Sequence, residues 1–172
     1  MGTVLLFQKL IKIYYYSAGF NATHLKVNIY DSNASYDKML LPNLSTESTT
    51  LYNAGGGRTR LEKEEYIIQH PECYDHLLVC YMSGSNCGKC MKCRQTLLEL
   101  DTLGKLDLFK NTFDIEQYKK DKPQILKYIY ACQKEHVNFQ DLIKRMEDDG
   151  FKPDFSLKHA PTTRKLRKII KK

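Results

Sequence analysis

The stretch "CYMSGSNCGKCMKCR", residues 80–94, places four of the chain's six cysteines within fourteen residues. Their spacing is Cys-x6-Cys-x2-Cys-x2-Cys, at Cys80, Cys87, Cys90 and Cys93. A Cys-x-x-Cys turn lets two sulfurs converge while backbone amides point at them, and a tetrahedral ion such as Zn²⁺ takes four thiolates. The spacing therefore predicts a metal site in which all four cysteines are ligands.

Two other interpretations of the cluster stay open beside zinc. An iron-sulfur cluster also takes four thiolates, although the Cys-Pro that normally follows the ferredoxin-type run is missing. A redox dithiol or an accidental cluster is the other alternative. Because four protein ligands leave no open coordination position, a zinc ion here is expected to be structural. Cys73 and Cys132 lack partners at ligand spacing and are predicted to be packed or partly exposed thiols.

The composition is that of a globular protein of 172 residues, with 42% hydrophobic and 27% charged residues. Gln8, Lys9 and Lys12 interrupt the longest apolar run well short of the roughly 18 residues that a membrane span needs. The N-terminus has no basic region and no small-residue cleavage site, so it is a poor signal peptide. We therefore expect a cytoplasmic protein with no membrane association, in which thiols stay reduced and clustered cysteines bind metal.

The net charge of +7 is concentrated in a C-terminal tail, residues 158–172. That tail holds seven basic residues and no acidic one, which accounts for the whole excess. Runs of like charge are commonly solvated and frayed, which is the expected state of this one. The alternative is that the tail contacts the phosphate backbone of a nucleic acid, in a salt-dependent and sequence-blind way.

The cysteine stretch, continued as "CYMSGSNCGKCMKCRQTLLEL", resembles the zinc-binding region of 7-cyano-7-deazaguanine synthases in the PP-loop, or adenine nucleotide alpha-hydrolase-like, ATPase superfamily. A second block, "LLPNLSTESTTLYNAGGGRTRLEK", is similar to a segment that precedes the cysteines in uncharacterised bacterial members. The two blocks cover roughly residues 11–110. The resemblance implies the same four zinc ligands, and a substrate site formed by Ser45, Thr46, Glu47 and Arg60. Turn and cap chemistry is the other explanation of Ser45–Glu47.

The ATP-binding loop of that superfamily, Ser-Gly-Gly-x-Asp-Ser, has no counterpart in this sequence. The nearest candidate, residues 17–23, lacks the middle glycine, the aspartate and the second serine. It also lies too close to the cysteines for a complete nucleotide-binding fold to intervene. The resemblance thus implies the C-terminal portion of a Rossmann-like α/β fold. ATP-dependent adenylation of a carboxylate or nucleobase-like substrate is then expected only if a partner protein supplies the ATP-binding half.

The resemblance implies a partial PP-loop-like α/β region with its zinc knuckle over residues 1–110. The periodicity of the remaining chain predicts a helical extension over 111–157, before the basic tail. Strands are expected at 11–16, 49–53 and 76–81. Helices are expected at 36–41, at 60–69 with Thr59 and Glu62 as a capping pair, at 96–103, and from Pro123 and Asn138 onward.

The enzyme hypothesis has a rival from another class. A zinc-stabilised module without catalytic activity can bind nucleic acid or protein, with Lys89, Lys92, Arg94 and the basic tail supplying positive charge. The substrate, the reaction and the oligomeric state do not follow from the sequence.

Overall fold

The computed structural model describes residues 2–22 and 33–158 of the chain. Most of the basic tail, residues 159–172, lies outside the described residues. The chain divides into two compact units, Met1–Lys63 and Glu64–Lys172. The described part is mainly helical, and its only strands form a two-stranded parallel sheet. The predicted division at residues 110 and 157 remains a prediction.

The first unit is built around two parallel strands, β1 (Ile13–Ser17) and β2 (Thr50–Ala54). Their register pairs Ile13 with Thr50 and Ser17 with Ala54. Both strands were predicted from their β-branched and aromatic residues, and both are confirmed within two residues. Between them the chain forms helix α2 (Asp37–Leu44), which contacts β2, and a short helix α1 (Gly2–Leu6) precedes β1.

The turn after β2 leads into helix α3 (Arg60–Ile67), whose capping pair is confirmed. The Glu62 amide donates to Thr59 Oγ1 at 3.2 Å, and the Thr59 amide donates to Glu62 Oε2 at 2.6 Å. These two bonds satisfy amides that the first turn of a helix leaves without partners. Helix α3 ends before Pro71, as predicted, and a 3₁₀ turn at Pro71–Cys73 follows it.

The second unit is a helical core made by α4 (Met91–Thr102), α5 (Ile115–Cys132) and α6 (Val137–Asp148), with a short α7 (Phe155–Lys158) against α5. The predicted apolar stripe of α6 is buried as expected, with Phe139 and Leu142 almost fully enclosed. The core side chains on the three longer helices include Leu97, Leu98, Leu100, Tyr118, Ile125, Leu126, Ile129, Phe139, Leu142, Ile143 and Met146. Glycines with positive φ end α4 and α6, at Gly104 and Gly150.

One predicted strand and two predicted helix starts of the second unit are wrong. Residues 76–81 form no strand, because no neighbouring strand takes up their backbone groups. Pro123 lies inside α5 rather than at its start, and Asp114 caps that helix by accepting from the Gln117 amide at 2.9 Å. Asn138 lies in the first turn of α6, whose N-cap is His136. Among the described residues, no helix is long and apolar enough to cross a membrane.

Candidate metal centre

The structure brings the four cysteines of the opening stretch together. Their sulfur atoms all lie within 4.8 Å of one another. Cys80 and Cys87 come from a segment with no helix or strand, Cys90 is the N-cap of α4, and Cys93 lies in the first turn of α4. The first two are half-buried and the last two are buried. The donor set therefore fits a metal ion held by four sulfurs, and the cysteine cluster can hold one.

Backbone amides point at the sulfurs, as a metal-binding turn requires. The Cys90 amide donates to Cys87 Sγ at 3.3 Å, and the Cys93 amide donates to Cys90 Sγ at 3.5 Å. The Met82 amide donates to Cys80 Sγ at 3.4 Å. Hydrogen bonds of this kind stabilise negative charge on sulfur, so the backbone favours thiolates at the cluster before any cation is considered.

The pKa values of two thiols of the cluster, Cys80 and Cys93, are shifted in opposite directions. The hydroxyl of Ser83, 3.6 Å from Cys80 Sγ, and the amides of Cys87 and Met82 lower the pKa of Cys80 to about 5. Burial, with the adjacent thiol of Cys90, raises the pKa of Cys93. A buried thiol beside other sulfurs gives up its proton only when a cation compensates the charge. An ion bound at this cluster would therefore displace the proton of Cys93.

Asn86 holds the cysteine segment in place, and the sequence analysis missed it. Its Oδ1 accepts from the amides of Val79 at 2.9 Å and Cys80 at 3.3 Å. Its Nδ2 donates to the carbonyls of Leu77 at 2.7 Å and Thr112 at 3.2 Å. The Asn86 side chain thus bonds backbone groups of residues 77–80 that a neighbouring strand would bond in a sheet. The available signal was an asparagine directly before Cys-Gly, a typical turn position.

The remaining cysteines do not belong to the cluster. All six cysteines are free thiols, and Cys80 Sγ and Cys90 Sγ lie 4.0 Å apart, far beyond the length of a disulfide bond. Cys73 is half-buried and Cys132 is buried in α5, as the sequence analysis expected of unpaired thiols.

Ser45 and Thr46, predicted to line a substrate site, have structural hydrogen bonds in the first unit. Ser45 Oγ donates to the Leu41 carbonyl at 3.2 Å and accepts from the Leu51 amide at 3.0 Å. Thr46 Oγ1 accepts from the Thr49 amide at 3.1 Å. These bonds end α2 and begin β2, which is the turn and cap chemistry that the sequence analysis kept as its alternative.

Glu47 and Arg60 complete the predicted substrate set. Glu47 is exposed in the turn before β2, and Arg60 begins α3 beyond the turn that follows β2. Strand β2 lies between them, and its five residues span roughly 13 to 17 Å at about 3.3 Å per residue. Ser45, Thr46 and Glu47 are therefore together at one end of β2, with Arg60 after its other end.

Comparison with known proteins finds no matching family model, no matching curated protein and no matching solved structure. No matched protein therefore supports the likeness to the PP-loop superfamily, which was inferred from the two sequence blocks. Any function for the chain has to be argued from the cysteine cluster and from the surface around it.

Proposed function

We propose that the cysteine cluster binds one structural Zn²⁺ ion and that the chain is the zinc-binding, C-terminal part of a PP-loop ATPase-like protein. The observation that carries the zinc site is the convergence of four sulfurs within 4.8 Å. When bound, the ion cross-links the irregular segment ending at Cys80 to the start of α4. It leaves no coordination position for substrate, because all four positions of a tetrahedron are taken by protein.

The sulfur spacing supports a single ion rather than an iron-sulfur cluster. With Zn–S bonds of about 2.3 Å, the sulfurs of a tetrahedral site lie about 3.8 Å apart. Cys80 Sγ and Cys90 Sγ are 4.0 Å apart, close to that value. An iron-sulfur cluster places several irons and sulfides between its thiolates, which holds those thiolates further apart than one ion does.

The surroundings of the cluster support a structural role for the ion. Residues 77–87 contribute no fully buried side chain, so the hydrophobic effect holds this segment only weakly. Asn86 supplies its main hydrogen bonds, and a metal ion supplies the remaining cross-link. Where a segment has so little apolar burial, metal binding contributes directly to its folding free energy.

The PP-loop part of the proposal is supported by the two sequence blocks and by the chain path between β1 and β2. These strands are parallel, and α2 lies between them in sequence, which is the βαβ arrangement typical of α/β folds. A complete PP-loop enzyme also needs the Ser-Gly-Gly-x-Asp-Ser loop. We therefore propose that adenylating activity requires a second protein that supplies it. Calorimetry with ATP and magnesium should detect no heat from the chain alone and binding once that protein is added.

Metal analysis of the purified full-length protein tests the zinc site. We expect one zinc per chain, a colourless protein, and loss of the zinc in the variant Cys90→Ser. The matched control is Cys73→Ser, the same substitution outside the cluster, which should keep the full zinc content. A brown protein that contains iron and sulfide, or equal zinc content in both variants, would contradict the proposal.

A further inference from the structure

The loop that joins the first two cysteines carries an exposed aromatic ring beside a lysine. Tyr81 is 63% exposed and Met82 is 69% exposed. The ammonium group of Lys92 lies 6.0 Å from the centroid of the Tyr81 ring, at the limit of a cation–π contact. A ring this exposed contributes little to the core and is accessible to a partner molecule.

A second lysine, Lys89, belongs to the same cysteine segment. Tyr81 follows Cys80 and Lys89 precedes Cys90, and the sulfurs of these two cysteines are 4.0 Å apart. Lys89 and Lys92 are both exposed, whereas Arg94 is half-buried. We call Tyr81, Met82, Lys89 and Lys92 the knuckle surface.

The chain segment that carries the knuckle surface has basic side chains and no acidic ones. Between Asp75 and Glu99 the chain contains no acidic residue, while it contains three basic ones. Thiolates of the cysteine cluster are negative, but Cys80 and Cys87 are only half-buried and Cys90 and Cys93 are buried. Lys89 and Lys92 are exposed, so an approaching anion meets the lysines first. The surface therefore complements a polyanion.

We propose that the knuckle surface binds single-stranded nucleic acid, with a base stacked on Tyr81 and phosphates paired with Lys89 and Lys92. An exposed aromatic ring flanked by cations is the combination that single-strand binding uses, because every base offers a π-face and every nucleotide a phosphate. A duplex keeps its bases stacked inside and cannot offer one to Tyr81. The proposal goes beyond the structural zinc site and does not depend on the identity of the ion.

The main competing occupant of such a surface is an anionic membrane. Membrane insertion needs a continuous apolar face, commonly an amphipathic helix. Here Tyr81 and Met82 are followed by Ser83, Gly84 and Ser85, all exposed, in a segment without helix. The observed side chains therefore favour stacking on one ring over insertion.

Fluorescence anisotropy of the full-length, metal-loaded protein with a short labelled oligouridine tests the proposal. We expect tighter binding to the single strand than to a duplex of the same length. Tyr81→Ala should weaken binding about 5- to 150-fold, the range measured for loss of one base–aromatic stack. Tyr81→Phe should keep near wild-type affinity, because stacking needs the ring and not the hydroxyl. Lys92→Gln should reduce the slope of log K against log salt by about 0.7, the value for one phosphate contact on a single strand.

Matched controls separate this surface from the basic tail, which every variant retains. Tyr15 is 67% exposed on β1, so Tyr15→Ala removes an equally exposed ring elsewhere and should leave binding unchanged. No binding at low salt, or equal binding by wild type and Tyr81→Ala, would overturn the proposal. Tyr81-dependent binding to phosphatidylserine vesicles, without Tyr81-dependent binding to the oligouridine, would overturn it in favour of a membrane.

The metal content of the same samples distinguishes this proposal from the zinc site. A metal-free protein with Tyr81-dependent binding would refute only the structural zinc. A zinc-loaded protein whose binding ignores Tyr81 would refute only the knuckle surface.

Discussion

Replacing Asn86 by alanine should loosen the segment that carries the first cysteine. The substitution removes four hydrogen bonds, two of them short, to the Val79 amide at 2.9 Å and the Leu77 carbonyl at 2.7 Å. The other two, to Cys80 and Thr112, are 3.3 and 3.2 Å long. At about 1 kcal/mol for each short bond and about half that for each long one, the loss is about 3 kcal/mol.

The assay is urea unfolding at a fixed, buffered concentration of free zinc, because a metal bound only by the folded state adds to the apparent stability. Zinc affinity is measured on the same variants by competition with a chelating dye. Since Asn86 holds the amide of Cys80, a ligand in the proposed zinc site, we expect the affinity to fall about 10- to 100-fold, as for other outer-shell partners of metal sites.

Asn111→Ala is the matched control for this prediction. Asn111 makes one exposed hydrogen bond, from its Nδ2 to Asp75 Oδ1 at 2.8 Å. Its loss should cost no more than about 0.5 kcal/mol and should leave the zinc affinity unchanged. If Asn86→Ala destabilises the protein no more than Asn111→Ala does, the four bonds do not hold the segment and the argument is wrong.

Three further predictions concern the helices and the first unit. Phe139→Ala should cost about 3 to 5 kcal/mol in urea unfolding because the ring is 1% exposed, whereas Phe155→Ala, at a 77% exposed position, should cost about 0.5 kcal/mol or less. Asp114→Ala should cost about 1 kcal/mol by removing the N-cap bond of α5, and Asp114→Asn should retain most of the stability because asparagine also caps helices.

The third of these concerns Asp37. Burial raises the pKa of Asp37 above its ordinary 3.8, so the carboxyl's contribution to stability is complete below 3.8 and is lost as pH rises through the folded pKa. The free energy of unfolding of Asp37→Asn, relative to that of wild type, should therefore increase as the pH is raised from below 3.8 to neutral. Unfolding is followed by the NMR signals of residues in β1 and β2. A constant difference across that range would contradict the shift.

Local features of the chain were predictable because their causes lie within a few residues. The capping pair of α3 consists of Thr59 and Glu62, three residues apart. Both reciprocal hydrogen bonds between them are present in the structure. The apolar stripe of α6 repeats with the period of a helix, and its four side chains are buried. The strands β1 and β2 were likewise indicated by their own side chains.

The errors arose where distant parts of the chain decide the local conformation. Residues 76–81 have strand-like side chains, but a strand also needs a partner, and Asn86 takes up the backbone groups instead. Pro123 removes a backbone donor, yet α5 continues through it because Tyr118 and Ile125, on either side, are 2% and 0% exposed in the core. Packing on both sides of the proline outweighs its local preference.

By itself, the sequence indicated which four cysteines come together, because ligand spacing and cysteine chemistry need no knowledge of the fold. It also indicated the helical stripes and the two strands. Only the tertiary structure decided how the centre is supported and what surrounds it. Asn86 reaches the Thr112 carbonyl, 26 residues further along the chain, and Tyr81 is left exposed beside Lys92. Such contacts depend on how the chain folds back on itself, which residue type and local spacing do not specify.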